Sequence, residues 1–128
     1  PAGSGPSAST LERQMTLDEL CDSIASSSSD TVAIGLVNHL QEWKANSANV
    51  DFLCSSVERY IGNTWISSES EHAAIYALWS EFRDSVATQI HGMTMNERLY
   101  FFGLLSAFDA AATVTEQDRF YGKLHAAR

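Results

Sequence analysis

The sequence predicts an all-α fold, a compact bundle of five to six helices around a central helix at about 95–112. Three observations predict it. Apolar residues recur at spacings of three and four over most of the chain, Ser/Thr-x-x-Glu boxes open three of those stretches, and no stretch alternates apolar and polar residues between turn signals. Of 128 residues, 45% are apolar and 19% charged, the proportions of one folded domain rather than of a disordered segment.

Residues 1–14 begin PAGSGPSAST, a run without periodicity, and are expected to be a flexible leader or an expression remnant. Residues 15–128 are expected to form a single helical domain. Thr16-Leu17-Asp18-Glu19 is the first capping box and opens a helix to about Ala25. Ser26–Ser29 stop it, and Ser29 or Asp30 caps a second helix with Val32, Leu36, Leu40 and Trp43 on one face. After the break at Asn46-Ser47, a third helix carries Val50, Leu53, Val57, Tyr60 and Ile61, with Gly62-Asn63 as a left-handed C-cap.

Ser68-x-x-Glu71 is the second box. It opens a fourth helix whose stripe Ile75, Leu78, Trp79, Phe82, Val86 and Ile90 runs to Gly92. Thr94-x-x-Glu97 opens the fifth, from Met95 to about Ala112, and the Thr113–Thr115 region caps a short last helix with Tyr121 and Leu124. On the fifth helix Met95, Leu99, Phe101, Phe102, Leu104, Leu105 and Phe108 cover more than half the circumference. Small residues, Gly103 among them, fill much of the rest, so neighbours should surround this helix, with Gly103 admitting another backbone. Arg98 and Asp109 fall on its apolar meridian. Each either pairs with a neighbouring helix or, in the case of Arg98, lines a binding cleft.

Charge narrows the function classes. Sixteen acids against eight bases give −8, and Arg13, Lys44, Arg59, Arg83 and Arg98 stand singly before a weak group of Arg119, Lys123 and Arg128. Phosphate backbones require clustered bases, so no direct nucleic-acid partner is expected. The apolar run Ala73–Trp79 is far too short to span a membrane, and no membrane partner is expected. Cys21 and Cys54 form no CxxC and read as reduced thiols of a cytoplasmic protein. His39, His72, His91 and His125 have no metal-ligand spacing, and no phosphate-binding loop or nucleophile elbow occurs. The expectation is a non-enzyme without metal or cofactor.

Binding of another protein remains. Asp18, Glu19, Asp22 and Asp30 near the start, with Glu81 and Asp84 on the fourth helix, are the candidate contacts for a basic partner. Phe52, off its helix's stripe, and Trp65, in the loop before Ser68, are the candidate anchors or else fill the core's edge. The run Gly92-Met93-Thr94-Met95-Asn96-Glu97-Arg98-Leu99-Tyr100-Phe101-Phe102-Gly103-Leu104, with Phe108-Asp109 after it, resembles a helix of small bacterial proteins that share an N-E-R-L start and an F-D end. Some such acidic proteins belong to toxin–immunity systems, including contact-dependent inhibition. The resemblance implies a cytoplasmic immunity protein or antitoxin that covers the active surface of a basic toxin domain, for instance a nuclease. It implies no particular binding residue. The alternatives are an adaptor or regulatory interaction module, able to dimerise through its helices, and a small-ligand-binding bundle using Arg98, Asp109 and a histidine.

Overall fold

The computed structural model describes residues 14–127, so Arg13, Arg128 and all of the expected leader except Gln14 lie outside the described residues. Those described form seven α-helices: α1 Leu17–Ser27, α2 Thr31–Ala45, α3 Val50–Asn63, α4 Glu69–Ser85, α5 Met95–Phe101, α6 Leu105–Ala110 and α7 Val114–Lys123. A 3-10 helix, Ala87–Gly92, links α4 to α5. Among the described residues there is no strand.

Two of the three expected boxes are complete, and at Ser68 only the hydroxyl half forms, accepting from Glu71 N–H. Thr16 and Thr94 make complete boxes with Glu19 and Glu97, and Asp30, Asn49, Ser68 and Thr113 each accept an amide hydrogen at the start of a helix. Three expectations about helix ends are corrected. Gly62 and Asn63 are helical, and the extended Thr64 caps α3. The fourth helix ends at Ser85, not Gly92. There Ser85 and Thr88 hydroxyls donate to the carbonyls of Glu81 and Asp84, four residues back, competing with the helical ladder, and the chain tightens into the 3-10 turn.

The third correction removes the central helix at 95–112. It breaks at Gly103, which has φ +70°. Gly103 N–H donates to Tyr100 O at 3.2 Å and Leu104 N–H to Leu99 O at 2.8 Å, the paired bonds of a Schellman motif, with Leu99 and Leu104 supplying its buried apolar contact. Gly103 is therefore a left-handed C-cap and not a gap for another backbone. What approaches it is the Asp18 carboxylate and the Lys44 ammonium. Beyond the break, α6 buries no residue, and Arg98 and Asp109 no longer share a meridian: Arg98 is buried and Asp109 exposed.

The core is centred on Phe102 at this break. Its ring lies 5.7 Å from Trp43 and 5.5 Å, edge-on, from Phe82, which in turn meets Trp79. Leu17, Leu20 and Ile24 of α1 and Leu36 and Leu40 of α2 complete it, each at most 1% exposed. Antiparallel neighbours place the candidate residues. Lys44 near the end of α2 reaches Asp18 at the start of α1 (2.8 Å). Gln14 Nε2 donates to Ser85 O at the end of α4 (2.8 Å). Between α2 and α3, Tyr60 Oη donates to Val32 O at 2.9 Å, across a site where a Cβ on Gly35 would overlap the hydroxyl.

Candidate protein-interaction surface

Of the six described Lys and Arg side chains, five are held by the protein's own groups, while Arg59 is exposed. Lys123, 1% exposed, donates to the carbonyls of Trp43, of Asn46 (2.7 Å) and of Ala48 (2.8 Å), with its ammonium 3.9 Å from the Trp43 ring centroid. Burial pushes its pKa down to about 8, and the Arg119 charge adds to the shift. Arg119 donates to Ala45 O and Asn46 O. Arg98 donates to Met93 O (3.0 Å), Leu124 O (2.9 Å) and His125 O (2.7 Å). These three bases meet carbonyls at chain turns and helix ends, where cations are favoured. They fasten α7 and its tail to the bundle.

Arg83 is held by carboxylates. It donates to Glu58 at 2.7 Å and to Asp84 at 2.8 Å. The hydrogen bonds that Arg83 donates to Asp84, Tyr76 and Glu58 push the guanidinium pKa further up, and the bond to Asp84 holds that carboxyl below its ordinary value. Glu58 also accepts from the indole of the buried Trp79, which ties α3 to α4.

The carboxylates stay outside, and four of the described ones flank two neighbouring clefts around α5. One cleft, of about 320 Å³, is lined by Thr16, Asp18, Glu19, Tyr100, Gly103, Leu105 and Ser106. The other, of about 400 Å³, has Asp84 and Glu97 on its wall with Gln14, Ser85, Gln89, Met93 and Phe101. Each cleft has a base at its edge: the Lys44 ammonium pairs with Asp18 beside Gly103 in the first, and Arg83 pairs with Asp84 in the second, which leaves Glu19 and Glu97 as the lining acids outside any ion pair among the described residues. Tyr100, 54% exposed, and Leu105 provide apolar surface beside the acids. The geometry suits a cationic group that carries apolar surface with it.

The structure thus brings together Asp18 and Glu19 of the expected contacts, and sets Asp84 on the neighbouring cleft. Glu81 is exposed one turn before Asp84, and Asp22 is exposed one turn beyond Asp18. Asp30 sits past the far end of α1, capping α2 through Val32 N–H at 2.9 Å. Phe52 (50% exposed) and Trp65 (70%) are open to solvent rather than filling the core's edge. They flank opposite ends of α3, about 16 Å of helix apart, and form no common patch. Arg98 is closed onto backbone carbonyls. The sequence reading missed Tyr100, Glu97 and Gln14. The available signal was Tyr100 itself, an aromatic residue omitted from the apolar stripe of its own helix.

The other polar clusters have different geometry. Ser56 Oγ donates to Leu53 O at 3.0 Å, so the 2.8 Å contact with His39 Nε2 has the ring as donor, the reverse of a nucleophile and its base. His125, at φ 56°, stacks on His91 with centroids 5.9 Å apart. Its Nε2 stands 3.2 Å from Asp51 Oδ2 but lacks hydrogen-bond geometry. Burial raises both cysteine pKa values, with Cys54 reaching about 11 and nearby Asp51 and Glu58 adding to the shift, so neither is an activated thiolate. Among the described residues no three His, Cys, Asp or Glu side chains converge to hold a metal ion, and no helix is long and apolar enough to cross a membrane. No protein-family model, curated protein or solved structure matches the chain.

Proposed function

We propose that this protein is an inhibitor of the immunity or antitoxin type, which binds a basic toxin domain through the acidic surface around α5 and covers the toxin's active face. The observation that carries the reading is the partition of charge. Lys123 and Arg98 are buried on backbone carbonyls, Lys44 and Arg83 are paired with Asp18 and Asp84 at the edges of two adjoining clefts, and Glu19 and Glu97 in those clefts form no ion pair with a described base. A surface of one sign accelerates encounter with a partner of the other by about 10- to 1000-fold at low salt, and Tyr100 and Leu105 give the encounter complex something to anchor on. No enzyme activity is part of this reading.

The test is co-production with candidate basic toxin domains taken from the genes that neighbour this one, scored by growth rescue and by the association rate as a function of salt. Rescue is expected, with an association rate that falls steeply as salt rises. Reversing Glu81 and Asp84 to lysine, with folding checked by circular dichroism, should slow association at least tenfold. A protein that binds no such domain, or binds it equally well after the reversal, refutes the proposal.

A further inference from the structure

We infer that the turn between α2 and α3 is a binding site for a primary amine, occupied in cis by the Lys123 side chain, and that this occupancy latches the α6–α7 hairpin to the bundle. The Lys123 ammonium meets a shaped receptor. The carbonyls of Trp43, Asn46 and Ala48 converge on it, one for each of its three N–H donors. Asn46 Oδ1 stands at 3.3 Å, and the Trp43 indole face closes another side. The turn holds this shape through bonds of its own. Trp43 Nε1 donates to Asn49 O at 3.0 Å, Asn46 N–H to Glu42 O at 3.1 Å and Ala48 N–H to Asn46 Oδ1 at 2.9 Å. None of these bonds involves Lys123, so the carbonyls remain aimed at one point when another amine takes its place.

The walls select the class of ligand. Every oxygen to which Lys123 donates is a neutral amide oxygen, so the site lacks the carboxylates that favour a divalent cation. A hydroxyl brings one donor to three carbonyls, and a guanidinium brings a planar fork to oxygens set around a point. A primary amine on an aliphatic stem matches both the donors required and the buried path that the Lys123 stem fills. The latch follows from the way the hairpin is held. α6 buries no residue, and its Phe108 packs on Phe120 and Tyr121 of α7, with ring centroids 5.6 and 6.0 Å apart. The hairpin is thus joined within itself. Beside the apolar seats of Phe120 and Leu124, Lys123 and Arg119 tether it to the end of α2 and the turn that follows. An amine from outside competes with Lys123 for its seat and loosens this tether.

The experiment uses Lys123→Ala in the full chain, which removes the propylammonium end of the side chain and empties its seat. n-Propylammonium chloride near neutral pH should raise the variant's Tm by several degrees over sodium chloride at equal ionic strength. Amide shifts in the 15N-labelled variant should saturate at residues 43–49. Propan-1-ol, which has the same shape and one donor, and potassium chloride should leave both readouts unchanged. In the wild type the amine competes with Lys123, so hydrogen exchange at residues 114–124 should quicken severalfold while residues 17–24 keep their protection. Should Lys123→Ala fail to fold, Lys123→Met keeps the stem and leaves room at the seat for an ammonium ion, and ammonium chloride should stabilise it over sodium chloride. No response to the amine, or a response that propan-1-ol or potassium matches, overturns the site. Wild-type exchange that quickens uniformly, or not at all, overturns the latch.

Discussion

Stability should rise, not fall, between pH 8 and 9, because of one buried ammonium. Lys123 has a folded pKa of about 8 against an ordinary value of 10.5. Below pH 8 both the folded and the unfolded chain carry this proton, and folding bears the full penalty of burying the charge, about 3 kcal/mol. Between 8 and 10.5 the folded chain has released it while the unfolded chain still binds it. Folding is therefore favoured progressively as pH climbs, by about 1 kcal/mol from pH 8 to 9 and about 2 kcal/mol by pH 10.

Cys54 works in the opposite direction over a higher window. Its folded pKa of about 11 exceeds the ordinary 9.0, so stability it supplies below pH 9 is lost between 9 and 11, about 1 kcal/mol of it by pH 10. Cys21 and Tyr60, both raised by burial, act in the same sense. Urea unfolding followed by tryptophan fluorescence from pH 7.5 to 10 separates these effects. The wild type should gain stability to about pH 9 and then level off. Cys54→Ala should continue to gain beyond pH 9, and Lys123→Met should show no rise. A wild-type curve that falls between pH 8 and 9, or an equal rise in Lys123→Met, refutes the reasoning.

Three further substitutions test the fastening of the fold. Arg98→Met strips its donor from Met93, Leu124 and His125 carbonyls and should lower stability by about 3–5 kcal/mol. Hydrogen exchange should show protection lost first in residues 120–126, and uniform loss over the whole chain would argue against a local clasp. Gly103→Ala forces a Cβ into the left-handed region against Asp18 and should be destabilising by about 1–2 kcal/mol, a fall in Tm of several degrees, with Gly103→Asn milder. Glu58→Gln can still accept from the Trp79 indole and should lose less than about 1 kcal/mol in chemical denaturation, whereas Glu58→Leu leaves that buried donor unmatched and should lose about 2 kcal/mol. Equal losses for the two Glu58 variants would show that the ion pair with Arg83, and not the indole bond, carries the contact.

Local rules made most of the fold legible. The boxes at Thr16 and Thr94 and the stripe from Ile75 to Ile90 depend on neighbours a turn away, and those neighbours are adjacent in the sequence. The missed features depend on competition between local and tertiary demands. Glycine tolerates a helix interior at a cost of about 1 kcal/mol, so Gly103 alone does not announce a stop. Two backbone bonds back to Leu99 and Tyr100, together with Phe102 seated among Trp43 and Phe82, decide the matter. Asp18 and Glu19 were found because sequence proximity kept them together. Asp84, also picked out from the sequence, and Glu97 come from different helices and meet only on the neighbouring cleft, a juxtaposition that no periodicity reveals.

The break and the acidic surface have one physical origin. An unbroken helix would carry Leu105 onward along the apolar stripe and leave the position of Gly103 beneath a neighbouring helix. Stopping at Gly103 lets Phe102 enter the core while Tyr100 and Leu105 turn outward beside the first carboxylates of α1. The segment beyond the stop then buries nothing of its own in α6, so α7 must hold this end of the chain in place. It does so with Phe120 and Leu124 and with three bases set on carbonyls, one of them, Arg98, contributed by α5. Cations used in this way cannot neutralise the outer face. The irregularity that ends the expected central helix thus gives the surface its cleft, and the repair of that irregularity leaves it acidic.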